Sequence, residues 1–491
     1  CRMSRQLDQK NYKTQTSETL SMPNLVWLRT DLRVRDNPAL YYACQSGPVE
    51  ALFILTPEQW LEHTISPHRL ALILRTLDQL SKDLATLGIP LRIVETPSYV
   101  ASINVVVKNA KAIGATKVFF NDEIALNEAR RDKKAIAALQ TNGISCETFN
   151  AFTCLTPGSV RKPDGTAYSV FTPFKRKWLT VLTEIGLNIL PSPKAQGPSI
   201  EPKQAPAKIA GISKSFGQEL WNAGEGAALK QLNAFCKNRA DNYKRDRDTP
   251  NVRGTSGLSP HLAMGVISAN QCLAAAYKVN GNRWVGPSEG INTWVSEIIW
   301  REFYNHILVE HPRIAMGQAF RRETDNLPWN QSTELLESWQ KGETGLPLVD
   351  AGMRQLNTTG WMHNRLRMVT AQFLAKHLFL DWRLGEKYFM SKLVDCDIAA
   401  NNGGWQWSAS TGTDAVPYFR MFNPIRQAER FDGSGDFVRS MVPELANAGK
   451  KQILEPWKGG GFAGYPAPII DLAQGRDRTL AAWKSMRADI V

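Results

Sequence analysis

The segment "NLVWLRTDLRVRDNPAL", residues 24–40, decides the fold class of the amino-terminal part of the chain. Leu25 to Leu28 is a short apolar run typical of a buried strand, and Asn37-Pro38 is typical of a helix cap and first turn. Similar patterns predict strands at 51–55, 91–95, 117–120 and 145–149, and helices at 67–87, 99–113 and 128–139. Because strands alternate with helices, we expect a doubly wound, parallel α/β domain over residues 22–152.

Folds of this kind often bind a dinucleotide through a glycine-rich turn after the first strand. Here "RTDLRVRDNP" follows that strand and contains no glycine. The G-x-G-x-x-G match at Gly459 to Gly464 has no strand before it and is followed closely by Pro466. The α/β domain is therefore not expected to bind a nicotinamide or flavin in the standard way.

The rest of the chain divides by composition. Residues 153–220 are rich in Pro, Gly and Lys, which predicts a long linker with short helical pieces such as 174–184. Residues 221–491 have helical patterns nearly throughout and predict an all-helical domain. Residues 1–21 are polar and without an apolar segment, so we expect a disordered tail or a non-native remnant rather than a signal peptide.

Charge and cysteine content narrow the function classes. The net charge of +13 over 491 residues favours a polyanionic partner, with nucleic acid as the first candidate and a basic enzyme as the alternative. The seven cysteines are scattered without a C-x-x-C pair, which indicates a reducing compartment and neither a metal site nor a disulfide framework. No apolar run has membrane length, so a soluble protein is expected.

Three short motifs could carry chemistry. "TSGLS", residues 255–259, offers hydroxyl and backbone donors to a phosphate. An ordinary turn and helix cap would have the same sequence pattern. Glu297 and Trp300 share one helix face; Glu297 could accept from a bound base or pair with Arg301 at the surface. "DCDIAANNGGWQW", residues 395–407, combines a D-x-D pair with amides, glycines and indoles; singly, each of these residues has a structural explanation.

Taken together, the motifs resemble the photolyase/cryptochrome family, most closely its bacterial class I cyclobutane pyrimidine dimer (CPD) photolyases. The resemblance is carried by the run from Thr344 to Phe431, by "WVSEIIWREFY", by "RGTSGLSPHLAMG" and by "VWLRTDLRVRDNPAL". It covers nearly everything from Met22 onward. It implies an α/β antenna domain, a helical domain that binds FAD, and FADH⁻ as the active form of the cofactor.

The resemblance also implies roles for residues around the flavin. Those expected to bind its phosphates and ribityl chain are Tyr243, Thr255, Ser256, Gly257, Leu258 and Ser259. Asp395 and Asp397 would lie at the adenosine side and close to the isoalloxazine, and Asn401 would face flavin N5. Trp405, Trp382 and Trp329, in this order from the flavin to solvent, would pass electrons to the light-excited flavin.

The implied reaction is light-driven repair of UV-damaged DNA. Excited FADH⁻ would give an electron to a flipped-out CPD and split it into two pyrimidines. Glu297 would hydrogen-bond the flipped bases, and Trp300 and Trp407 would stack on them. The residues expected at the lesion and its phosphates are Arg247, Asn364, Arg365, Met368 and Gln427.

One segment bears on which lesion is repaired. Family members that repair (6-4) photoproducts resemble "HHLARH" where this chain has "HNRLRM", residues 363–368. Their chemistry needs a proton donor near neutral pH, and histidine is suited to that role. Asn364 and Met368 replace two of those histidines, and His363 is expected to be structural. The segment therefore predicts repair of CPDs and not of (6-4) photoproducts.

A second chromophore is implied in the α/β domain. His63, Asn127 and Glu128 resemble a 5,10-methenyltetrahydrofolate antenna site. Relatives of that type can carry a basic residue where this chain has Met316, so a deazaflavin or an empty site is an alternative.

Three other functions are compatible with parts of the sequence. A cryptochrome-type photoreceptor is disfavoured, because Asn401 is the residue of repair enzymes and no long signalling tail follows. A photolyase that prefers single-stranded DNA is a second alternative, and a basic RNA-binding protein a third. Otherwise we expect a cytoplasmic bacterial enzyme, monomeric and without an obligatory protein partner.

Overall fold

The structure, a computed structural model, describes residues 22–458 and 460–488. The expected amino-terminal tail, residues 1–21, and Gly459 of the glycine-rich match lie outside the described residues. The strands of the main sheet are β1 (Asn24–Leu28), β2 (Val49–Leu55), β3 (Leu91–Glu95), β4 (Lys117–Asn121) and β5 (Ser145–Phe149). A two-residue hairpin, β6 (Lys208–Ile209) and β7 (Ile212–Ser213), follows in the linker region.

The α-helices of the described residues are numbered in chain order. They are α1 (Pro38–Ser46), α2 (Pro57–Glu62), α3 (Pro67–Thr86), α4 (Tyr99–Ala112), α5 (Leu126–Thr141), α6 (Phe171–Ile185), α7 (Glu225–Asn238), α8 (Tyr243–Asp246), α9 (Ser259–Ala263), α10 (Ala269–Val279), α11 (Glu289–Glu310), α12 (Thr333–Lys341), α13 (Pro347–Thr359), α14 (Asn364–Gln372), α15 (Trp382–Lys392), α16 (Ile398–Ala409), α17 (Pro424–Phe431), α18 (Asp436–Met441) and α19 (Leu472–Ala488). A π-helical turn, Phe373–His377, continues α14. Short 3₁₀ helices lie at Ala240–Asn242, Pro312–Met316, Arg322–Asn326 and Pro443–Leu445.

The main sheet has the order β3-β2-β1-β4-β5, and every pair is parallel. Helices cover both of its faces, because alternate side chains of a strand point to opposite sides. In β1, Leu25 and Trp27 join the core with α4 and α5, whereas Val26 and Leu28 join the core with α1 and α3. The expected architecture, a doubly wound parallel sheet followed by a helical domain, is confirmed.

The turn after β1 is closed by side chains rather than by glycines. The Asp31 carboxylate accepts from Arg29 N and from Asn121 Nδ2, each at 2.6 Å. Asn37 caps α1, since its Oδ1 accepts from Leu40 N at 3.2 Å. All these side chains are buried, so the place of a dinucleotide phosphate is taken by an internal polar network.

The same turn docks the α/β domain onto the helical domain. The buried Arg33 guanidinium donates to the Gly265 carbonyl at 2.8 Å, and Ser268 Oγ donates to Asp36 Oδ2 at 2.6 Å. A Cβ at Gly265 would overlap the carbonyl of Thr30, so only glycine permits this approach of the two backbones. The core on this side of the sheet continues without a break into the helical domain.

The region predicted as a linker is more ordered than its composition suggests. Helix α6 begins three residues earlier than the predicted 174–184 and has 15 residues. It buries Phe171, Phe174, Trp178 and Leu182 against the core shared by the two domains. The sequence predicted this helix but not its packing into the core, because its four buried residues lie within a Pro- and Lys-rich region. The domain limits proposed from composition stay a prediction.

A second core lies in the carboxy-terminal half of the helical domain, around Trp339, Trp382, Trp405 and Trp483. Among residues 22–458 and 460–488, no helix combines the length and the apolar character needed to cross a membrane.

Candidate active site

Four helices of the helical domain, α8, α11, α14 and α16, pack against one another, and we call the region where they meet the cleft. Arg247, directly after α8, forms an ion pair with Glu297 of α11. Arg367 of α14 forms an ion pair with Asp395, two residues before the cap of α16. These two pairs join segments that are 50 and 28 residues apart in the chain. The cleft therefore brings together most of the residues that the motifs singled out.

The TSGLS segment forms one wall of the cleft. Its carbonyls are held from behind: Arg239 Nη1 donates to the Thr255 carbonyl at 3.0 Å, and Gln231 Nε2 donates to the Ser256 carbonyl at 2.9 Å. Gly257 has a φ of 66°, a left-handed conformation that favours glycine. Thr255 and Ser256 are half-buried and Ser259 is exposed, so their hydroxyls remain available to a ligand.

Trp361 connects this wall to the start of α14. Its indole Nε1 donates to Ser259 Oγ at 3.4 Å. Tyr243 lies at the other end of the wall and is buried beneath Arg247, whose guanidinium is 5.4 Å from the ring centroid. Sequence reasoning identified Tyr243 and Ser259 but missed Trp361, because no local pattern distinguishes it from a core tryptophan.

The two aspartates of the D-x-D motif have different environments. Asp395 is buried, and its two carboxylate oxygens accept from Arg367 Nη2 at 3.1 and 2.8 Å. Asp397 is the cap of α16, with its Oδ1 accepting from Ala400 N at 2.9 Å. Arg367 was not predicted, since its distance from the motif in sequence gives no signal of the pairing.

The two amides of "NNGGWQW" differ in burial and in their hydrogen-bond partners. Asn401 is half-buried, and its Nδ2 donates to the Glu386 backbone carbonyl at 3.0 Å. Asn402 points the other way and is buried; its Nδ2 donates to Glu386 Oε1 at 2.8 Å, and its Oδ1 accepts from Gln406 Nε2 at 2.9 Å. Burial raises the pKa of Glu386 to about 7. Sequence reasoning missed this buried chain of polar groups behind Asn401.

The three tryptophans of the expected electron path belong to the same core of the helical domain. Trp405 packs against Gly385, one helical turn after Trp382 in α15. The segment that carries Trp329 pairs with the segment before α15, since Asn330 N donates to the Phe379 carbonyl at 2.7 Å. Trp382, Trp405 and Trp329 are 0%, 2% and 8% exposed. Trp329 is thus the most accessible of the three, although it is still mostly covered.

Two of the residues expected at the lesion, Glu297 and Trp300, lie on α11. Glu297 pairs with Arg247 and not with Arg301, whose guanidinium donates to the Phe152 carbonyl instead. One face of Trp300 is stacked on Phe171 at 3.6 Å between centroids, which fixes the ring. The side chains of Glu297 and Trp300 are thereby oriented by partners from distant segments.

Further residues of this group lie on α14, α16 and α17. Asn364 is exposed and Met368 half-buried, with Asn364 Nδ2 at 4.0 Å from Met368 Sδ on one helix face. Trp407 and Gln427 are half-buried. Gln427 Oε1 is buried without a hydrogen-bond partner among the described residues, which leaves it able to accept from a ligand.

The expected antenna residues line a cavity of about 490 Å³ between the two domains, and Asp397 of the D-x-D motif lines the same cavity. Asn127 Nδ2 lies 3.1 Å from His63 Nε2, and Tyr99 Oη donates to Glu128 Oε1 at 3.0 Å. Burial raises the pKa of Glu128, and the nearby carboxylate of Glu123 raises it further. Met316 lines the same cavity and is 55% exposed.

Comparison with known proteins is consistent with this geometry. Residues 24–197 match a family model described as DNA photolyase, and residues 294–485 match the FAD binding domain of DNA photolyase. The chain is 45% identical over 471 residues to the deoxyribodipyrimidine photo-lyase of Escherichia coli K12, covering 94% of this chain and 99% of that protein. It is 42% identical over 482 residues to the protein of the same name from Vibrio cholerae, with coverages of 94% and 99%.

Two solved structures of similar proteins have the same fold. A class III photolyase from Agrobacterium tumefaciens superposes with a TM-score of 0.86 at 33% identity, covering 97% of this chain and 100% of that chain. A cryptochrome from Synechocystis superposes with a TM-score of 0.81 at 25% identity, covering 94% and 99%. The chain belongs to the DNA photolyase family. Within that family its expected similarity to the bacterial class I CPD photolyases is confirmed, and the helical domain is an FAD-binding domain.

The residues of the cleft fit FAD. Hydroxyls of the TSGLS wall can donate to phosphate oxygens, and the Asp395 carboxylate can accept from a ribose hydroxyl or a ring N–H. Because Asn401 Nδ2 is bound to the Glu386 carbonyl, the Asn401 Oδ1 is the atom available to accept from an N–H of the flavin. The donor set thus agrees with the cofactor that the family implies.

The glycines of "NNGGWQW" give a test of the packing. A Cβ at Gly403 would overlap the ring of Tyr304, which itself lies 5.5 Å from the Trp300 ring. Gly403→Ala should therefore destabilise the protein by about 1–3 kcal/mol through overpacking, against a helix-propensity gain of about 1 kcal/mol. The measurement is the midpoint of thermal unfolding.

The matched control is Gly226→Ala in α7, where an added Cβ contacts no atom within 4 Å. Its midpoint should stay level or rise slightly. Equal midpoints for Gly403→Ala and the control would show that Tyr304 does not constrain this position.

Proposed function

We propose that this protein is a light-driven carbon–carbon lyase that repairs cyclobutane pyrimidine dimers in DNA. The observation that carries the proposal is the cleft itself. It brings segments with a flavin-type donor set close to α11, which carries the oriented pair Glu297 and Trp300. Bound FAD in its reduced form would supply, on absorbing light, the electron that splits the dimer, and would take that electron back when the two pyrimidines have formed. The alternatives of a photoreceptor, a single-strand-preferring enzyme and an RNA-binding protein are not favoured.

The side chains of the cleft then have separate tasks. Trp300 and Trp407 stack on the extruded bases, an interaction worth about 1–3 kcal/mol per base. Glu297 accepts hydrogen bonds from the bases once Arg247 turns to a phosphate. Asn364, Met368 and Gln427 shape the pocket around the lesion. A dimer pairs poorly in the duplex, so its extrusion costs less than that of normal bases.

Positive charge provides the DNA affinity. The net charge of +13 gives the surface a general attraction for phosphates, and we assign the two arginines Arg247 and Arg365 to the phosphates at the lesion. We further propose a monomeric enzyme that acts in the bacterial cytoplasm without an obligatory protein partner.

The residues that line the pocket favour cyclobutane dimers over (6-4) photoproducts. Repair of a (6-4) photoproduct needs a proton donor, and His363 is the histidine nearest to the lesion residues in sequence. Its Nδ1 accepts from Arg365 N at 3.2 Å and caps α14. Burial lowers the pKa of His363 to about 4, so the ring is neutral at physiological pH. It is therefore a structural residue and a poor proton donor.

This assignment predicts the lesion specificity. The reduced enzyme, illuminated with blue light, should restore an oligonucleotide with a single CPD and leave a (6-4) oligonucleotide unchanged. Loss of each lesion is followed by chromatography of the digested DNA, with a dark sample as control. Restoration of the (6-4) substrate, or failure with the CPD, would contradict the proposal.

We also propose that Trp405, Trp382 and Trp329 form the path by which electrons reach the flavin from solvent. Burial of Trp382 and Trp405 keeps them away from water, and the greater exposure of Trp329 suits the outer end of the path. The path serves to reduce the cofactor, whereas repair itself needs only reduced flavin and lesion.

Trp382→Phe should therefore abolish reduction of the flavin by light and an external thiol. The same variant, reduced with dithionite, should still repair CPDs. The readout is the flavin absorption spectrum during illumination. Trp178→Phe, a buried tryptophan of α6, is the matched control and should be reduced at the normal rate. Normal photoreduction of Trp382→Phe would exclude this path.

For the cavity between the domains we propose 5,10-methenyltetrahydrofolate as the antenna. The support is chemical: Glu128 can accept from the amino group of a pterin ring, and His63 and Asn127 lie together at the same wall. The exposed Met316 offers no charge to the glutamate tail of a folate, which predicts weak retention.

Two substitutions test this site. Glu128→Gln should lower the amount of folate extracted per flavin, and Met316→Lys should raise it, because a lysine adds a cation for the tail carboxylates. Glu62→Gln is the control, since Glu62 is exposed and lies next to His63 without lining the cavity. Folate and flavin are quantified after acid release. Extraction of a deazaflavin instead would refute the folate assignment.

A further inference from the structure

The two arginines assigned to the lesion phosphates are already paired with carboxylates in the protein alone. Arg247 pairs with Glu297, and Arg365 Nη2 donates to Asp248 Oδ1 at 2.9 Å. Asp248 Oδ1 also lies 3.9 Å from Arg247 Nε. Two cations and two anions therefore form one row of alternating charge along the cleft, with no net charge.

Arg365 is held in this row from several sides. Its guanidinium lies over the Phe431 ring, 4.2 Å from the centroid, and its backbone N is bound to His363. The Arg365 side chain is only 15% exposed, whereas that of Asp248 is 33% exposed. The Arg365 Nε is buried without a hydrogen-bond partner among the described residues. The guanidinium can thus exchange the Asp248 carboxylate for another anion without leaving the ring.

We propose that Asp248 is a positioning residue that sets the preference of the enzyme for damaged over intact DNA. The proposal rests on the proposed function, in which Arg365 binds a phosphate at the lesion. Asp248 competes with DNA phosphates for the Arg365 guanidinium. An intact duplex competes for this guanidinium through its phosphates alone, so Arg365 remains paired with Asp248 when intact DNA binds.

A dimer that has left the stack brings further contacts. Its bases bind Glu297 and stack on Trp300 and Trp407, and these contacts hold the adjacent phosphate against Arg365. The phosphate then displaces Asp248. The carboxylate therefore lowers the affinity for intact DNA more than the affinity for damaged DNA.

The test compares Asp248→Asn with Asp246→Asn. The second variant removes the same charge two residues earlier, where Asp246 pairs with Arg245, whose side chain is 72% exposed. Dissociation constants are measured in the dark for flavin-loaded protein with intact and CPD-containing duplexes over a range of salt concentrations. Asp248→Asn should bind intact DNA about fivefold more tightly and CPD DNA nearly as the parent does. Asp246→Asn should change both affinities by the same factor.

The salt dependence gives a readout that a purely structural role would not change. Once Asp248 no longer holds it, Arg365 neutralises one more phosphate of intact DNA. The log–log slope for intact DNA should therefore become steeper by about 0.9 in Asp248→Asn and stay unchanged in the double variant Asp248→Asn/Arg365→Ala.

The single variant Arg365→Ala distinguishes failure of the proposed placement of Arg365 from failure of the inference about Asp248. In the parent background it should make the slope for CPD DNA shallower by about 0.9. If that slope does not change, Arg365 binds no lesion phosphate, and both the proposed placement and this inference are overturned. If it changes as expected but Asp248→Asn behaves like Asp246→Asn, only the inference about Asp248 is overturned. Parallel loss of both affinities in Asp248→Asn would likewise overturn it.

Discussion

The docking of the turn after β1 onto the helical domain is the constraint on which the rest of the structure depends. Arg33 spans the boundary to the Gly265 carbonyl, and Gly265 has no Cβ to keep the backbones apart. A buried guanidinium is tolerated only where its donors are satisfied, so this contact fixes the relative position of the two domains. The cavity at His63 and the TSGLS wall, which begins ten residues before Gly265, are placed by the same contact.

Buried polar groups hold the helix that carries Asn401 in place. Glu386 of α15 and Asn402 and Gln406 of α16 form a continuous chain of hydrogen bonds on the buried face of the helix that carries Asn401. Such a chain holds a unique arrangement only if its members find partners, because an unpaired polar group in the interior is costly. The helix α16 can therefore present one amide to the cleft while the next amide belongs to the interior.

Charge is arranged differently in the two halves of the cleft. Asp395 is buried and paired with Arg367, which keeps its carboxylate in place. Glu297 and Asp248, which we propose to act in DNA binding, have side chains that are 31% and 33% exposed, whereas the Asp395 side chain is 2% exposed. A phosphate can replace a partly exposed carboxylate as the partner of an arginine, as we propose for Arg365, whereas the buried Asp395 carboxylate needs its cation.

The sequence by itself determined the fold class, the boundaries of the main strands to within two residues, and the family, whereas its assignment of site residues stays a prediction. These follow from local periodicity and from long motifs whose residues are contiguous. Only the tertiary structure showed that Glu297 pairs with Arg247 rather than Arg301, that Arg367 holds Asp395, and that helix α6 is packed into the core. Each of these depends on residues far apart in the chain. Their distance in space is set by how helices cross and pack, which no local pattern encodes.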